Sequence, residues 1–392
     1  MLYALIVITA IDLVLLLNLC ASLVALRPLE RFTPAQRASG DWPRISVLVP
    51  ARNEAANIER CLRTLLVQAY PNAEFLVLDD ESTDETAAIV ATLAARDPRL
   101  RLLHGGSLPT GWLGKCNACA QLAEAATGDY LLFTDADTVH GLTSLASALA
   151  AAEQRFLGLV SVLPRQTART GAERLMLPLL PLNILALLPV GLVRRRPEPS
   201  LSAGIGQFLF FRRDAYRAAG GHTAVHDQVL DDVMLARRVK AAGWRMDLLD
   251  GGTAVRCRMY DSFGAIWRGF SKNLFDFYGR SPFFTLLAVA LHFALFVAPP
   301  VLALGALALH ASPLFVALPA IAYFAVVTMR LLEAVRVGAE GTDLRGVAGW
   351  WSALAHPVAE GIHCAITLNS LRWGLRGQLD WKGRTYTPSV TP

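Results

Sequence analysis

Two aspartates stand one residue apart in LLFTDADTVH, residues 131–140. Leu131, Leu132 and Phe133 read as the end of a buried strand, with Asp135 and Asp137 at its tip. Side chains alternate along a strand, so residues two apart point the same way and these two carboxylates should converge. Like charges that close resist ionising unless something positive sits between them. A divalent cation answers that need. Hard oxygen ligands suit magnesium or manganese, and magnesium commonly joins one or two carboxylates to substrate phosphates. Such an ion offsets the charge that builds on a departing diphosphate. Two blander readings compete. One is a helix cap, with Asp137 or Thr138 opening a helix over GLTSLASALAAAEQ. The other is a solvated loop. A cap needs only one such residue and leaves Asp135 without a role.

Three other stretches carry candidate chemistry. In AEFLVLDDEST (73–83), Asp79 and Asp80 end an apolar run, and a carboxylate there suits a base N–H or a ribose hydroxyl. Turn formation is the simpler reading of this Asp-rich stretch. In VLDDVMLARRVKAAGW (229–244), Asp231 and Asp232 fall in the first turn of a predicted helix, where the helix dipole favours acids. A plain N-terminal charge is the alternative role for Asp231. In LPTGWLGKCNACAQ (108–121), Lys115 stands at a helix start, where anions are favoured, and Trp112 suits a sugar face or a lipid surface. Cys116 and Cys119 form a C-x-x-C with no second pair, so they read as two small residues on one helix face.

The elements that must position these residues follow from hydrophobic spacing. RISVLVPARNE (44–54) reads as a buried strand with a polar tip, and NIERCLRTLLVQ (57–68) has helical spacing. A second strand over 73–79 precedes the helix DETAAIVATLAARD, which Ser82 or Thr83 can cap. LRLLHG is a third strand, Lys115–Ala126 a helix, and DYLLFTDAD a fourth strand. This β-α alternation predicts an open, mostly parallel α/β sheet with its acidic strand tips along one rim, where such sheets bind ligands. No G-x-G-x-x-G follows the first strand and no Walker A loop is present.

Apolar residues make up 54% of the 392 positions, and the excess is concentrated at both ends. Residues 1–26 are long enough to cross a bilayer and lack the basic start of a cleaved leader. Asp12 inside that run should face another helix. Residues 282–309 and 312–329 predict a tight transmembrane hairpin over 282–329, with Pro299 and Pro300 kinking its first arm. Residues 345–375 predict a further membrane or interfacial helix, less apolar and carrying His356, Glu360 and His363. Residues 175–196 interrupt the central region; their prolines and terminal arginines suit an interfacial segment. Basic residues flank the spans on one side, which puts the central region in the cytoplasm and the N-terminus outside. A net charge of +5 suits an anionic membrane surface. No nucleic-acid motif accompanies it, so nucleic acid is not an expected partner.

VPARNE, LDDESTDET and FTDAD, in this order and spacing, resemble the family 2 glycosyltransferases with a GT-A fold. The resemblance covers roughly residues 44–140. It implies an α/β fold, a GT-A-like mostly parallel sheet with helices on both faces, here joined to transmembrane helices at both ends. The implied catalytic domain spans 44–280. The implied activity is transfer of a sugar from a nucleotide sugar, a UDP- or GDP-sugar, with inversion at the anomeric carbon. Pro50, Arg52, Glu54, Asp79 and Asp80 would bind the nucleotide, and Lys115 a phosphate. Asp135 and Asp137 would match the Asp-x-Asp that holds the diphosphate with Mg2+ or Mn2+. Asp232 takes the position of the family's base, with Asp231 as the acid before it. SAGIGQFLFFRRDAYRAAGGH (202–222) resembles the segment that shapes the donor-sugar and acceptor side, and Gly204 and Gly206 would let backbone approach the ligand. The Gly-Trp-x-Gly-Lys loop and IWRGFSKNLF (266–275) resemble membrane-bound members that glycosylate polyprenoid lipids, among them carotenoid-acid and hopanoid-associated enzymes. Trp267, Arg268 and Lys272 would then face the acceptor. The family's processive polymer synthases carry Gln-x-x-Arg-Trp, which IWRGFSKN lacks. The implied partners are a nucleotide sugar, a lipid acceptor and the bilayer. A polysaccharide synthase and a non-catalytic membrane scaffold are the alternatives.

Overall fold

The computed structural model describes residues 1–38, 40–340, 347–377, 379–381 and 384–386. In chain order the elements are α1 (Leu2–Ala25), β1 (Ile45–Ala51), α2 (Ile58–Leu66), β2 (Ala73–Asp79), α3 (Thr86–Ala94), β3 (Leu100–His104), α4 (Gly114–Ala125), β4 (Tyr130–Phe133), β5 (Thr138–His140), α5 (Ser144–Arg155), β6 (Leu159–Leu163) and β7 (Arg165–Gln166). There follow α6 (Gly171–Met176), α7 (Leu179–Leu187), α8 (Val190–Val193), β8 (Leu209–Arg212), α9 (Arg213–Ala218), α10 (Asp231–Ala241), β9 (Met246–Asp250) and β10 (Val255–Cys257). The last long stretch is helical: α11 (Phe263–Phe277), α12 (Pro282–His292), α13 (Ala298–Ala308), α14 (Pro313–Arg336), α15 (Val347–Leu354) and α16 (His356–Leu375).

The chain divides into two compact units. One holds Leu26–Arg165 and Val190–Met259, and the other holds Met1–Ala25, Gln166–Pro189 and the described residues from Tyr260 onward. The first is built on a seven-stranded sheet in the order β3-β2-β1-β4-β8-β6-β9. β1 pairs in parallel with β2 and β4, β2 with β3, and β6 with β9. Only β8 runs against its neighbours. The mostly parallel sheet read from the sequence is therefore present. Every residue of β2 is buried, and all of β1 except Pro50, as parallel strands covered on both faces require. Chain order turns back at β1, with β2 on one side and β4 on the other. That switch point opens a crevice beyond the carboxyl ends of β1 and β4. Phe75, Phe208 and Phe210 are among the largest fully buried side chains of the unit.

Three local expectations differ from the structure. The fourth strand ends at Phe133, so Asp135 and Asp137 lie in the turn between β4 and β5, not on a pleated strand. Neither Ser82 nor Thr83 caps α3. The Ser82 hydroxyl accepts the Asn53 N–H at 2.9 Å, and Asp84 Oδ1 accepts the Thr86 N–H at 3.0 Å beside the helix start. The helix after the aspartate pair begins at Ser144 with Thr143 before it, so neither Asp137 nor Thr138 is a cap.

The second unit is helical. Among the described residues, three helices are long and apolar enough to cross a membrane: Leu2–Ala25, Pro282–Ala308 and Pro313–Arg336. α1 packs on α7 and α14. Thr9 and Asn18 on α1 bond to partners inside the unit, as a low-dielectric setting favours. The Thr9 hydroxyl donates to the Leu318 carbonyl at 3.0 Å, and the Asn18 amide to the Ala186 carbonyl at 2.7 Å. Asp12 is fully buried, in keeping with a side chain that faces other helices. The break expected at Pro299 and Pro300 takes the form of a π-helical turn over Phe293–Val297. Those prolines bring no N–H, so the carbonyls before them lose their usual donors. Ala298 N–H reaches back to the Phe293 carbonyl instead. The second arm runs on to Arg336. Residues 175–196 are divided among the end of α6, α7 and α8, with Leu179, Leu182 and Leu185 buried. Of the helix expected over 345–375, residues 345 and 346 lie outside the described residues; α15 and α16 occupy the remainder.

Candidate active site

The crevice at the switch point is lined by Pro50, Lys115, Phe133, Asp135, Gly206 and Asp231, among others. β1 supplies Pro50, the start of α4 supplies Lys115, the β4–β5 turn supplies Asp135, and α10 supplies Asp231 at its first residue. Residues from four separated stretches of sequence thus meet at one rim.

The aspartate pair does converge, through the turn. Asp137 is partly buried near Asp135, and its carboxyl is pushed up to about 7 by burial first, then by the charges of Asp135 and Glu54. Its Oδ1 is buried and, among the described residues, has no hydrogen-bond donor. A buried, unpaired carboxylate oxygen is costly, and a cation removes that cost. The donor set is carboxylate oxygen, which fits magnesium or manganese. Asp135 and Asp137 are the residues expected to hold such an ion, and Glu54 lies near enough for its charge to raise Asp137.

Lys115 is the positive group found beside the pair. Its Nζ lies 2.7 Å from Asp135 Oδ1. Burial alone would lower the ammonium, but Asp135, and then Asp231, hold it well above its ordinary value. It therefore stays charged.

Asp232 faces the same place. Its Oδ2 accepts the Gly206 N–H at 2.7 Å and its Oδ1 accepts the Val233 N–H at 2.8 Å. Burial, then the charge of Asp231, push its carboxyl up to about 6. A Cβ built on Gly206 would stand 3.3 Å from both Asp232 Oδ2 and Lys115 Nζ. A Cβ on Gly204 would stand 2.0 Å from the Asp232 carbonyl oxygen. The close approach these glycines permit is thus to the chain's own Asp232.

The residues expected to bind a nucleotide lie at the neighbouring strand ends. Arg52 donates to the Asp80 carbonyl and lies 4.0 Å from its carboxylate and 3.7 Å from that of Glu81. Asp79 Oδ1 is buried without a donor, while Ser82 N–H approaches its Oδ2 at 3.4 Å. Glu54 accepts from the Asn57 amide at 3.1 Å. Asn53 and Glu81 both adopt left-handed backbone, with φ of 51° and 55°. Asparagine tolerates this and glutamate resists it, so the Glu81 turn is held by its surroundings. Trp112 stacks at a tilt on His226, with ring centres 5.2 Å apart. Trp267, Arg268 and Lys272 lie on α11, in the helical unit.

Three supporting residues were not singled out from the sequence. His222 Nε2 lies 3.6 Å from Asp231 Oδ2, and its Nδ1 is 2.8 Å from the Tyr216 hydroxyl. Burial lowers His222, and Asp231 opposes that. Cys257 on β10 lies beside Asp137, and its thiol opposes the rise of that carboxyl. The one available signal was the GGH that closes the 202–222 segment; Cys257 lies far from its partner in sequence and offers none.

Comparisons with known proteins agree with this layout. Residues 46–220 match the family described as Glycosyl transferase family 2. A 4,4'-diaponeurosporenoate glycosyltransferase of Staphylococcus haemolyticus is 26% identical over 235 residues, 59% of this chain and 60% of the relative. A beta-monoglucosyldiacylglycerol synthase of Nostoc is 28% identical over 216 residues, 54% of this chain and 44% of the relative. The match therefore spans less than two thirds of the length of these curated relatives. A mannosyltransferase of Pyrobaculum calidifontis, solved with GDP-Man and Mn2+, shares the fold with a TM-score of 0.53 at 20% identity, covering 94% of this chain and 99% of that one. The chain carries a Glycosyl transferase family 2 domain on a GT-A-like, mostly parallel sheet.

Proposed function

We propose that this protein is an inverting glycosyltransferase that moves a hexose from a UDP- or GDP-sugar to a lipid or polyprenoid acceptor at the cytoplasmic face of a membrane. The observation that carries the reading is the meeting of Asp135, Asp137, Lys115 and Asp232 at one sheet rim. Pro50, Arg52, Glu54, Asp79 and Asp80 bind the nucleotide in this reading. Asp137 and Asp135 hold Mg2+ or Mn2+, which when bound supplies Lewis-acid neutralisation of the diphosphate. Lys115 exchanges its contact with Asp135 for a phosphate oxygen as the donor enters. Asp232 takes the acceptor hydroxyl proton as that oxygen attacks the anomeric carbon, whose bond to the nucleoside diphosphate breaks on the opposite face to release the diphosphate. A carboxyl raised to about 6 by burial is ionised at neutral pH yet a stronger base than an ordinary aspartate. Backbone N–H groups of Gly206 and Val233 fix its orientation.

The acceptor class draws support from two sides. Among the described residues, three helices are long and apolar enough to cross a membrane. The relatives carry names that specify a carotenoid acid and a glucosyldiacylglycerol. Residues 175–196 serve as an interfacial segment in this reading. The test is transfer of radiolabelled sugar by the purified protein in lipid nanodiscs, from a panel of UDP- and GDP-sugars, into solvent-extractable product. Label entering lipid from one donor, and lost in Asp137→Asn, supports the proposal. Label only in polymer, or no donor used, contradicts it.

A further inference from the structure

The helical unit contains a second cluster of ligand-type side chains, and it has no part in the chemistry above. His292 ends α12, and Glu360 and His363 lie three residues apart on α16. On a helix that spacing puts both side chains on one face. His292 Nδ1 stands 2.9 Å from Glu360 Oε2. The rings of His292 and His363 are 5.0 Å apart, and one ligand atom from each of the three residues lies within 4.8 Å of the others. His356 completes the surroundings, with Nε2 3.7 Å from Glu360 Oε1.

This cluster is not satisfied by its own hydrogen bonds. Glu360 is fully buried, and among the described residues its Oε1 has no hydrogen-bond partner. His356 is 1% exposed, and neither of its ring nitrogens has one among those residues. Leaving such groups unpaired in an apolar bundle is costly. Burying them together needs a return. A second feature marks the same place: the π-helical turn begins at Phe293, directly after His292. Single π turns recur at functional sites because they re-aim the side chains around them.

We propose that His292, Glu360 and His363 form a binding site for a transition-metal cation of the zinc class, joining α12 to α16. Two imidazoles and one carboxylate are a zinc-type donor set, and they leave a fourth position for water. Imidazole donors separate this site from the carboxylate site at the sheet rim, which suits harder ions. His356 is an outer partner that orients Glu360, as the second layer around metal ligands commonly does. The present spread of the ligand atoms closes by a small inward shift, since zinc bonds of about 2.0–2.1 Å bring such donors closer together.

The full-length protein in detergent, stripped with chelator, is loaded with zinc in the presence of excess magnesium and desalted, and zinc per chain is counted. About one zinc per chain is expected in the wild type, because the folded protein presents the site ready-made. The same count is expected in Asp137→Asn, and at least a tenfold loss in Glu360→Gln and His363→Asn. Zinc-edge X-ray absorption on the loaded wild type reads the site without any substitution, so it decides the matter even if those variants misfold. A shell of nitrogen and oxygen with imidazole scattering supports the proposal. No retained zinc, sulfur in the shell, or equal retention in a folded Glu360→Gln protein overturns it.

Discussion

Gly206 donates its backbone N–H to Asp232 Oδ2 at 2.7 Å, while a side chain at Gly206 would press on both Asp232 and Lys115. A loop that precedes β8 therefore holds the proposed base, and a residue without a side chain keeps the space between base and ammonium open.

Gly204 tests that arrangement from the backbone side. Its added Cβ would lie 2.0 Å from the Asp232 carbonyl oxygen, and neither atom belongs to a flexible side chain. Gly204→Ala should displace the start of α10 and cost about 1–3 kcal/mol by overpacking. Sugar transfer should fall far more than stability does. Thermal melting and turnover measured on the same preparation separate the two. Unchanged turnover would mean that the Gly204 contact does not position Asp232.

Lys115 should act on donor affinity. A charged hydrogen bond to phosphate is worth about 1.5–3 kcal/mol, so Lys115→Met should weaken nucleotide-sugar binding roughly ten- to a hundred-fold. Isothermal titration with the donor reads this directly. Arg at this position should recover only part of the loss, because a planar fork does not replace a compact ammonium.

Asp232 should set the pH profile. Its carboxyl is raised to about 6, so a base mechanism gives a rate that climbs with pH up to about that value and then levels. Asp232→Asn should remove the activity along with that limb when the acceptor group is a hydroxyl. A carboxylic-acid acceptor is already ionised at neutral pH. With it, Asp232→Asn should retain most of its rate, so the two acceptor chemistries separate in one comparison.

Tyr216 and His222 position Asp231 from behind. Tyr216→Phe removes the hydroxyl that contacts His222 Nδ1 at 2.8 Å, at a cost of about 1 kcal/mol. The expected signature is a lower kcat with little change in donor KM, since neither residue sits among the proposed nucleotide contacts. A raised donor KM with normal kcat would place them on the nucleotide side instead.

Much of the fold was readable because it rests on local pattern. The β-α alternation from Arg44 to Phe133 and the acidic strand ends are set by neighbouring residues, and so is the first turn of α10. The route by which Asp135 and Asp137 meet was misread. Alternation along a strand was the premise, yet β4 stops at Phe133 and a turn brings the carboxylates together. The cap of α3 failed for a related reason. Ser82 and Thr83 are drawn to Asn53, a residue distant in sequence, which no local rule anticipates. The same holds for Cys257 against Asp137 and His222 against Asp231, which only tertiary packing brings together. His356, Glu360 and His363 stood in plain view on one helix, but their partner His292 comes from a separate one.

The most direct test of the carboxylate site is manganese binding followed by electron paramagnetic resonance, with and without a nucleoside diphosphate. Asp137 must lose its proton to bind a cation, and its carboxyl sits at about 7, so affinity should fall about tenfold per pH unit below that value. The account predicts one manganese site that tightens when the diphosphate is added, disappears in Asp137→Asn and survives Glu360→Gln. Manganese that binds equally well to Asp137→Asn, or that ignores the diphosphate, would contradict it.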